Sequence, residues 1–119
     1  MQSIKQIEVI LENEPGALSA VSELLGASNI NIIALYVSTH ENTGKLRFLA
    51  NDPEKALNVL KTAGYEIRSE QVIACETPHH PGGLNAVLKP LKDARINVDY
   101  IYPCRGTGRD TILILGLET

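Results

Sequence analysis

Apolar positions along this chain recur with two alternating periods. Ile7, Val9 and Leu11 alternate with Glu8, Ile10 and Glu12, the pattern of a strand with one strongly apolar face. Asn13 to Gly16 interrupts it, and Pro15 suits the first turn of a helix, where a missing N–H costs nothing. Leu18, Val21, Leu24 and Leu25 then form one helical stripe, ended by Ser28-Asn29. Ile30 to Ser38 reads as a second strand and His40 to Gly44 as a turn. Leu46, Phe48 and Ala50 alternate with Lys45, Arg47 and Leu49 in a third strand. Asp52 is an N-cap with Pro53 just inside the helix it opens. Ala56, Leu57 and Leu60 give that helix its apolar stripe, and Gly64 stops it. Tyr65 to Glu70 is a fourth strand, so the order is βαββαβ.

The pattern then starts again. Val72-Ile73-Ala74-Cys75 begins a strand, and Leu84, Val87, Leu88 and Leu91 form a helical stripe. Pro90 lies inside that helix and is expected to kink it. Ile96 to Tyr102 and Thr111 to Leu117 are strands, joined by the loop Arg105-Gly106-Thr107-Gly108-Arg109. The repetition extends to residue identity. Asn13-Glu14-Pro15-Gly16-Ala17-Leu18 leads to Asn29-Ile30-Asn31-Ile32, and His79-His80-Pro81-Gly82-Gly83-Leu84 leads to Arg95-Ile96-Asn97-Val98. Gly16 and Gly82 are 66 positions apart, as are Asn31 and Asn97. Pro15, Leu18, Ala20, Val21, Leu25, Ile30 and Tyr36 recur at that spacing, which marks an internal duplication. Two domains follow, residues 1–70 and 71–119. At the same spacing Thr119 falls on Pro53, so the second copy lacks its last helix and strand.

A βαββαβ unit makes an antiparallel sheet with both helices on one face. The expected fold class is therefore α+β, a ferredoxin-like sandwich duplicated in tandem. A copy short of a helix and an edge strand would expose apolar sheet face. Ile112, Leu113, Ile114, Leu115 and Leu117 would lie on it, which predicts a homodimer in which the second copies pack against each other or against the partner's first copy.

Bulk properties narrow the function. A chain of 119 residues holds one ordinary core or two small ones. A net charge of -3 offers no general attraction to nucleic acid or to an anionic membrane. No apolar run approaches the roughly 20 residues of a membrane span, and Met1 to Gln6 lacks the apolar core of a signal peptide. The expected compartment is the cytoplasm. Cys75 and Cys104 form no CxxC pair and read as reduced, partly buried thiols. Zinc binding by Cys75, His79, His80 and Cys104 fits no standard spacing. No metal and no cofactor is expected.

The run Glu12 to Leu18, followed by Asn29-Ile30-Asn31-Ile32, resembles the start of an ACT domain, and is particularly similar to the regulatory small subunit of acetolactate synthase. The whole chain resembles stand-alone tandem ACT proteins. That resemblance implies a non-catalytic regulatory protein that binds a free amino acid, with a branched-chain side chain as the best guess. It also implies an enzyme of amino-acid metabolism as a partner. The implied ligand residues are Asn13, Glu14, Pro15, Gly16, Ala17 and Leu18 facing Asn97, and His79, His80, Pro81, Gly82, Gly83 and Leu84 facing Asn31.

The chemistry suits those residue types. A ligand carboxylate needs N–H donors, and a helix N-terminus offers several with a favourable dipole. Gly16 and Gly82 allow close backbone approach, and the ammonium needs an amide or carbonyl acceptor. Asn13 can equally be a helix N-cap, and Asn31 and Asn97 can equally hydrogen-bond the helix-to-strand turn. His79-His80 replaces Asn13-Glu14 in the second copy and would make that site depend on pH near neutrality. Tyr36 and Tyr102 read as half-buried strand residues, and Arg105 to Arg109 as a solvated hairpin that could also cradle an anion.

Other functions on this topology lack their residues. An acylphosphatase-like enzyme needs an Arg in the first loop, and Asn13 to Leu18 has none. An RNA-recognition sheet needs exposed aromatics on its third strand, and Lys45 to Ala50 offers only Phe48. A metal chaperone needs CxxC in the first loop, and none is present there. No Ser-His-Asp pattern or P-loop is present. The remaining alternative is an interaction module whose ligand site has decayed.

Overall fold

In the computed structural model, described for residues 1–105 and 110–118, six strands and three helices follow in the order β1 (Gln2–Glu12), α1 (Ala17–Ala27), β2 (Ile32–His40), β3 (Thr43–Ala50), α2 (Pro53–Thr62), β4 (Glu66–Thr77), α3 (Gly83–Asp93), β5 (Val98–Cys104), β6 (Thr111–Leu117). The Gly106 to Arg109 part of the suggested anion-cradling loop lies outside the described residues. Two compact units result: Lys5–Glu70, and Gln71–Thr119 together with Met1–Ile4.

Within Lys5–Glu70 the strand order is β2-β3-β1-β4. β1 and β3 run antiparallel with Ile7 opposite Phe48 and Val9 opposite Leu46. These four side chains point to the helices and are fully buried with Val21 and Leu25 of α1 and Ala56 and Leu60 of α2. Burying each of the larger ones contributes about 1.5–3 kcal/mol. Phe48, an aromatic that an RNA-binding sheet would display, is part of this core. α2 starts as its sequence dictates. The Asp52 carboxylate accepts from Lys55 N at 3.2 Å, Pro53 follows it, and Glu54 sits in the first turn.

Within the second unit the order is β5-β6-β4, with the Gln2–Ile4 end of β1 beyond β4. Ser3 Oγ donates to Gln71 Oε1 at 3.0 Å on that side. Its core is smaller: Cys75, Val87, Leu91 and Leu115, under the single helix α3. α3 runs unbroken past Pro90. Three expectations need correction. The fourth strand of the first copy and the first strand of the second are one continuous strand, β4. The position of the missing fourth strand is taken by Gln2–Ile4, a segment the sequence reading assigned to the first copy. The β6 side chains anticipated as exposed are covered: Ile114 and Leu115 are buried and the others half-buried.

Registers define the duplication more finely than sequence does. Ile7 opposite Phe48 corresponds to Ile73 opposite Leu115, and Val37 opposite Leu46 to Pro103 opposite Leu113. Up to β5 the spacing is 66, as between Ile7 and Ile73; in β6 it is 67, as between Phe48 and Leu115. The second copy therefore has one extra residue in its β5–β6 connection. In this register Ala34 opposite Leu49 becomes Tyr100 opposite Gly116. Large and small have changed places: the Tyr100 ring occupies the space over Gly116, where a Cβ would meet Tyr100 Cζ at 2.1 Å.

Candidate functional site

Each copy opens its first helix on a glycine in the left-handed region, Gly16 at φ 88° and Gly82 at φ 86°. Only glycine takes this conformation without strain, so the Pro-Gly pair is fixed by backbone geometry. The two turns match bond for bond. Glu14 N donates to Glu12 O at 2.9 Å, and His80 N to Pro78 O at 3.1 Å. Ala17 N donates to Glu14 O at 3.3 Å, and Gly83 N to His80 O at 3.0 Å. The first helical bonds are Ala20 N to Gly16 O at 2.9 Å and Ala86 N to Gly82 O at 3.1 Å. The N–H groups of Leu18 and Ser19, and of Leu84 and Asn85, lie ahead of these first bonds at the positive end of each helix.

α1 and α3 differ here from α2. Neither has a side-chain cap or an acidic residue in its first turn, whereas α2 has both. Two helix starts are thus left without the anionic side chain that satisfies the third. Each exposes a leucine, Leu18 and Leu84, beside that end.

The helix ends are duplicated as well. Asn29 and Arg95 both take positive φ, and Ile30 N and Ile96 N reach back to Leu25 O and Leu91 O at 2.9 and 2.8 Å. The Ile-Asn step follows. Asn31 exchanges bonds with Asn51: its N–H donates to Asn51 Oδ1 at 2.9 Å, and its carbonyl accepts from Asn51 N at 3.1 Å. The Asn97 carbonyl accepts from Glu118 N at 3.0 Å. Both Asn residues are exposed. Their backbones thus secure the helix-to-strand turn.

Asn13 does not cap α1. Its side chain donates to Glu41 O at 2.9 Å and its backbone N–H to Asn42 O at 2.8 Å, tying the loop to the β2–β3 turn. Glu41 sits at φ 55° to present that carbonyl. This attachment joins residues far apart in sequence, and the turn-like run His40 to Gly44 was its only sequence signal. Glu14, Pro15, Gly16 and Ala17 line a cavity of about 480 Å³ together with Gly64, Tyr65 and Glu66 from the α2–β4 connection and the start of β4. Glu12 and Glu14 also border a second cavity of about 490 Å³ with Asn13, Asn42 and Thr43. Glu14 was among the expected site residues, whereas Glu12, Glu66 and Tyr65 were not.

The second turn differs in side chains. The His80 ring lies with Nδ1 2.8 Å from Pro81 O, so Nδ1 donates to that carbonyl. Gly83 replaces Ala17, and a Cβ there would stand 2.1 Å from Pro78 O. Among the described residues no group of three or more His, Cys, Asp or Glu side chains could hold a metal ion. Among the described residues no helix is long and apolar enough to cross a membrane. Of the expected site residues, Asn13 to Leu18 and Asn31 belong to Lys5–Glu70, and His79 to Leu84 and Asn97 to the second unit.

Two copies of one α+β unit, each opening a helix on a left-handed Pro-Gly turn, define a tandem ferredoxin-like protein. The chain belongs to the family described as the ACT domain pair, matched over residues 2–118. No curated protein matches it in sequence. It is similar to the crystal structure of protein BT0572 from Bacteroides thetaiotaomicron: 29% identity, 98% of this chain and 81% of that chain, TM-score 0.90. The fold is shared with the ligand-free regulatory subunit of aspartate kinase from Thermus thermophilus: 14% identity, 97% of this chain and 87% of that chain, TM-score 0.69. The regulatory subunit of aspartate kinase from Thermus flavus aligns at 15% identity over 96% of this chain and 84% of that chain, TM-score 0.65.

Proposed function

We propose that this protein is a non-catalytic, cytoplasmic regulator that binds a free amino acid at its Pro-Gly turns. The observation that supports this reading best is the bond-for-bond duplication of a left-handed Gly turn at two helix starts that lack acidic caps. A ligand carboxylate would take the N–H groups of Leu18 and Ser19 in the first copy, where the helix dipole favours a negative charge. The ammonium would take acceptors among Glu12, Glu14 and Glu66 around the cavity. Leu11, Ala17 and Tyr65 line the same cavity and suit an apolar side chain of modest size. A branched-chain amino acid is the specific choice, on the similarity of Glu12 to Leu18 to the acetolactate synthase regulatory subunit.

In this reading the regulated partner is an enzyme of amino-acid metabolism. The aspartate kinase regulatory subunits that share the fold make such a partner reasonable. One feature favours a second reading for the second copy alone: His79-His80 stands where Asn13-Glu14 stands in the first, so that turn would serve structure after its ligand role decayed. A thermal-shift screen of the twenty amino acids at millimolar concentration tests the proposal. A ligand at 100 times its Kd stabilises by about 2.7 kcal/mol. Stabilisation by one or a few small apolar amino acids is expected, and no response to any of the twenty would remove the sensor function.

A further inference from the structure

The two copies build one sheet face from opposite chemistry. Facing away from the helices of the first unit, Glu8 stands opposite Arg47, and Arg47 opposite Tyr36. The second copy has Ala74, Ile114 and Tyr102 at these positions. Ile112 likewise stands at the position of Lys45 and Val72 at that of Gln6, while Ile10 runs the other way, with Glu76 at its position. Depth is comparable: Glu8 and Ile114 are buried, Arg47 and Ala74 half-buried. Taking charges out of water is costly, and apolar residues of similar volume often serve a fold equally well. The second copy does this with Ala74, Ile112 and Ile114. The fold by itself therefore does not call for Glu8, Lys45 and Arg47.

These charges are also loosely paired with one another. Lys45 Nζ lies 3.7 Å and Arg47 Nη2 3.9 Å from Glu8 Oε1, beyond hydrogen-bond reach. Glu8 Oε1 is buried and accepts no hydrogen bond among the described residues. Arg47 is oriented by the Tyr36 ring, whose centroid is 5.8 Å from its guanidinium carbon, and by Ser38 Oγ, which accepts from Nη1 at 3.4 Å. Lys45 and Arg47 line a cavity of about 180 Å³ with Ser38, Thr39, His40 and Thr43. Among the described residues no carboxylate lines it. Glu12, opposite Thr43 in register, is exposed and borders the other two cavities. We propose that this cavity is a binding site for a phosphate group, held by Lys45 and Arg47 and by the hydroxyls of Ser38, Thr39 and Thr43. A phosphate brings about two negative charges and three acceptor oxygens, which suits two cations ringed by hydroxyl donors better than a carboxylate does. The cavity is smaller than the roughly 300 Å³ of a site that encloses a whole organic ligand, so the phosphate group itself is what it holds. The inference does not rest on amino-acid binding.

The test is a titration of the full chain at low salt, followed by its backbone amide resonances, with inorganic phosphate, glycerol phosphate and succinate. Both phosphates should move the signals of Ser38, Lys45 and Arg47 in a saturable way, and succinate should bind at least about 10-fold more weakly. Tighter binding of glycerol phosphate would identify a phosphorylated metabolite as the occupant, and equal or tighter binding of inorganic phosphate the free ion. Lys45→Gln should weaken binding at least about 10-fold, the loss of one charge-assisted hydrogen bond. Lys61→Gln removes the same charge from the last turn of α2 and should leave binding unchanged. Glu8→Ala/Lys45→Ile/Arg47→Ile installs the residues of the second copy. It should keep the far-ultraviolet circular dichroism of the wild type and lose the response to phosphate. Phosphate that moves only the helix starts at Leu18, Ser19, Leu84 and Asn85 would overturn the proposal. So would the absence of any saturable response, full binding by Lys45→Gln, loss of binding in Lys61→Gln, or succinate matching phosphate. A triple variant that unfolds would show that the fold needs these charges, and would overturn it as well.

Discussion

The turn Asn13 to Leu18 and the turn His79 to Leu84 have one backbone and two sets of side chains. Three hydrogen bonds, one left-handed glycine and one uncapped helix start recur in both. What changes is the attachment. The first turn is tied by Asn13 to the β2–β3 turn and has Ala17 at its helix start. The second folds Pro78 tightly over Gly83 and fixes the ring of His80 on its own backbone. The difference teaches that backbone geometry and side-chain chemistry are separable: the duplication preserved the first while the second diverged.

The cores beneath the turns differ in the same direction, and here the largest effect is expected. Leu25, on α1, is fully buried in a core that α2 and the sheet also build, whereas its counterpart Leu91, on α3, belongs to a core with a single helix and keeps slight exposure. Leu25→Ala should cost about 3–5 kcal/mol and Leu91→Ala about 2–3 kcal/mol, read by urea denaturation. Equal costs would show that the smaller core is as well packed as the larger.

Next comes the glycine contrast. Gly83→Ala forces a Cβ onto the Pro78 carbonyl and should cost roughly 2–3 kcal/mol. Gly82→Ala meets open space and pays only for its positive φ, about 1–2 kcal/mol. Ala17→Gly in the first turn should cost about 0.5–1 kcal/mol through chain entropy alone. If Gly83→Ala costs no more than Gly82→Ala, the tight fold of the second turn is wrong.

Much of this was legible in the sequence because it is local. Period-two and helical stripes gave strands and helices, Asp52-Pro53 gave a helix start, and Pro15-Gly16 with Pro81-Gly82 gave the two turns. The features that were not legible depend on contacts distant in sequence. Nothing local says that Gln2–Ile4 will lie beside β4 in the second unit, or that β4 will run unbroken from one copy into the next. The extra residue between β5 and β6 shows only in the register, where Leu113 and Leu115 take the places of Leu46 and Phe48. Asn13 looks like a helix cap until the β2–β3 turn is in place to accept its amide.

Smaller effects sharpen the contrast further. Asn13→Ala removes one hydrogen bond to Glu41 and should cost about 1 kcal/mol of stability. His79→Ala, at the equivalent position, should cost less; a reversal would shift the anchoring role to the second turn. The two thiols give the mildest test. Burial pushes the Cys75 thiol above its ordinary pKa, slightly offset by the N-terminal ammonium, so at a given pH less of it is the reactive thiolate. Cys104 is half-buried and should be alkylated at pH 8 at least about 10-fold faster than Cys75. Comparable rates would mean that the second core opens freely.

The most direct test of the account is to follow backbone amide resonances while titrating the protein with branched-chain amino acids. The account predicts that the signals of Leu18 and Ser19 move in a saturable way, and that Leu84 and Asn85 move at higher concentration or not at all. Binding that shifts amides elsewhere and leaves both helix starts unmoved would contradict it.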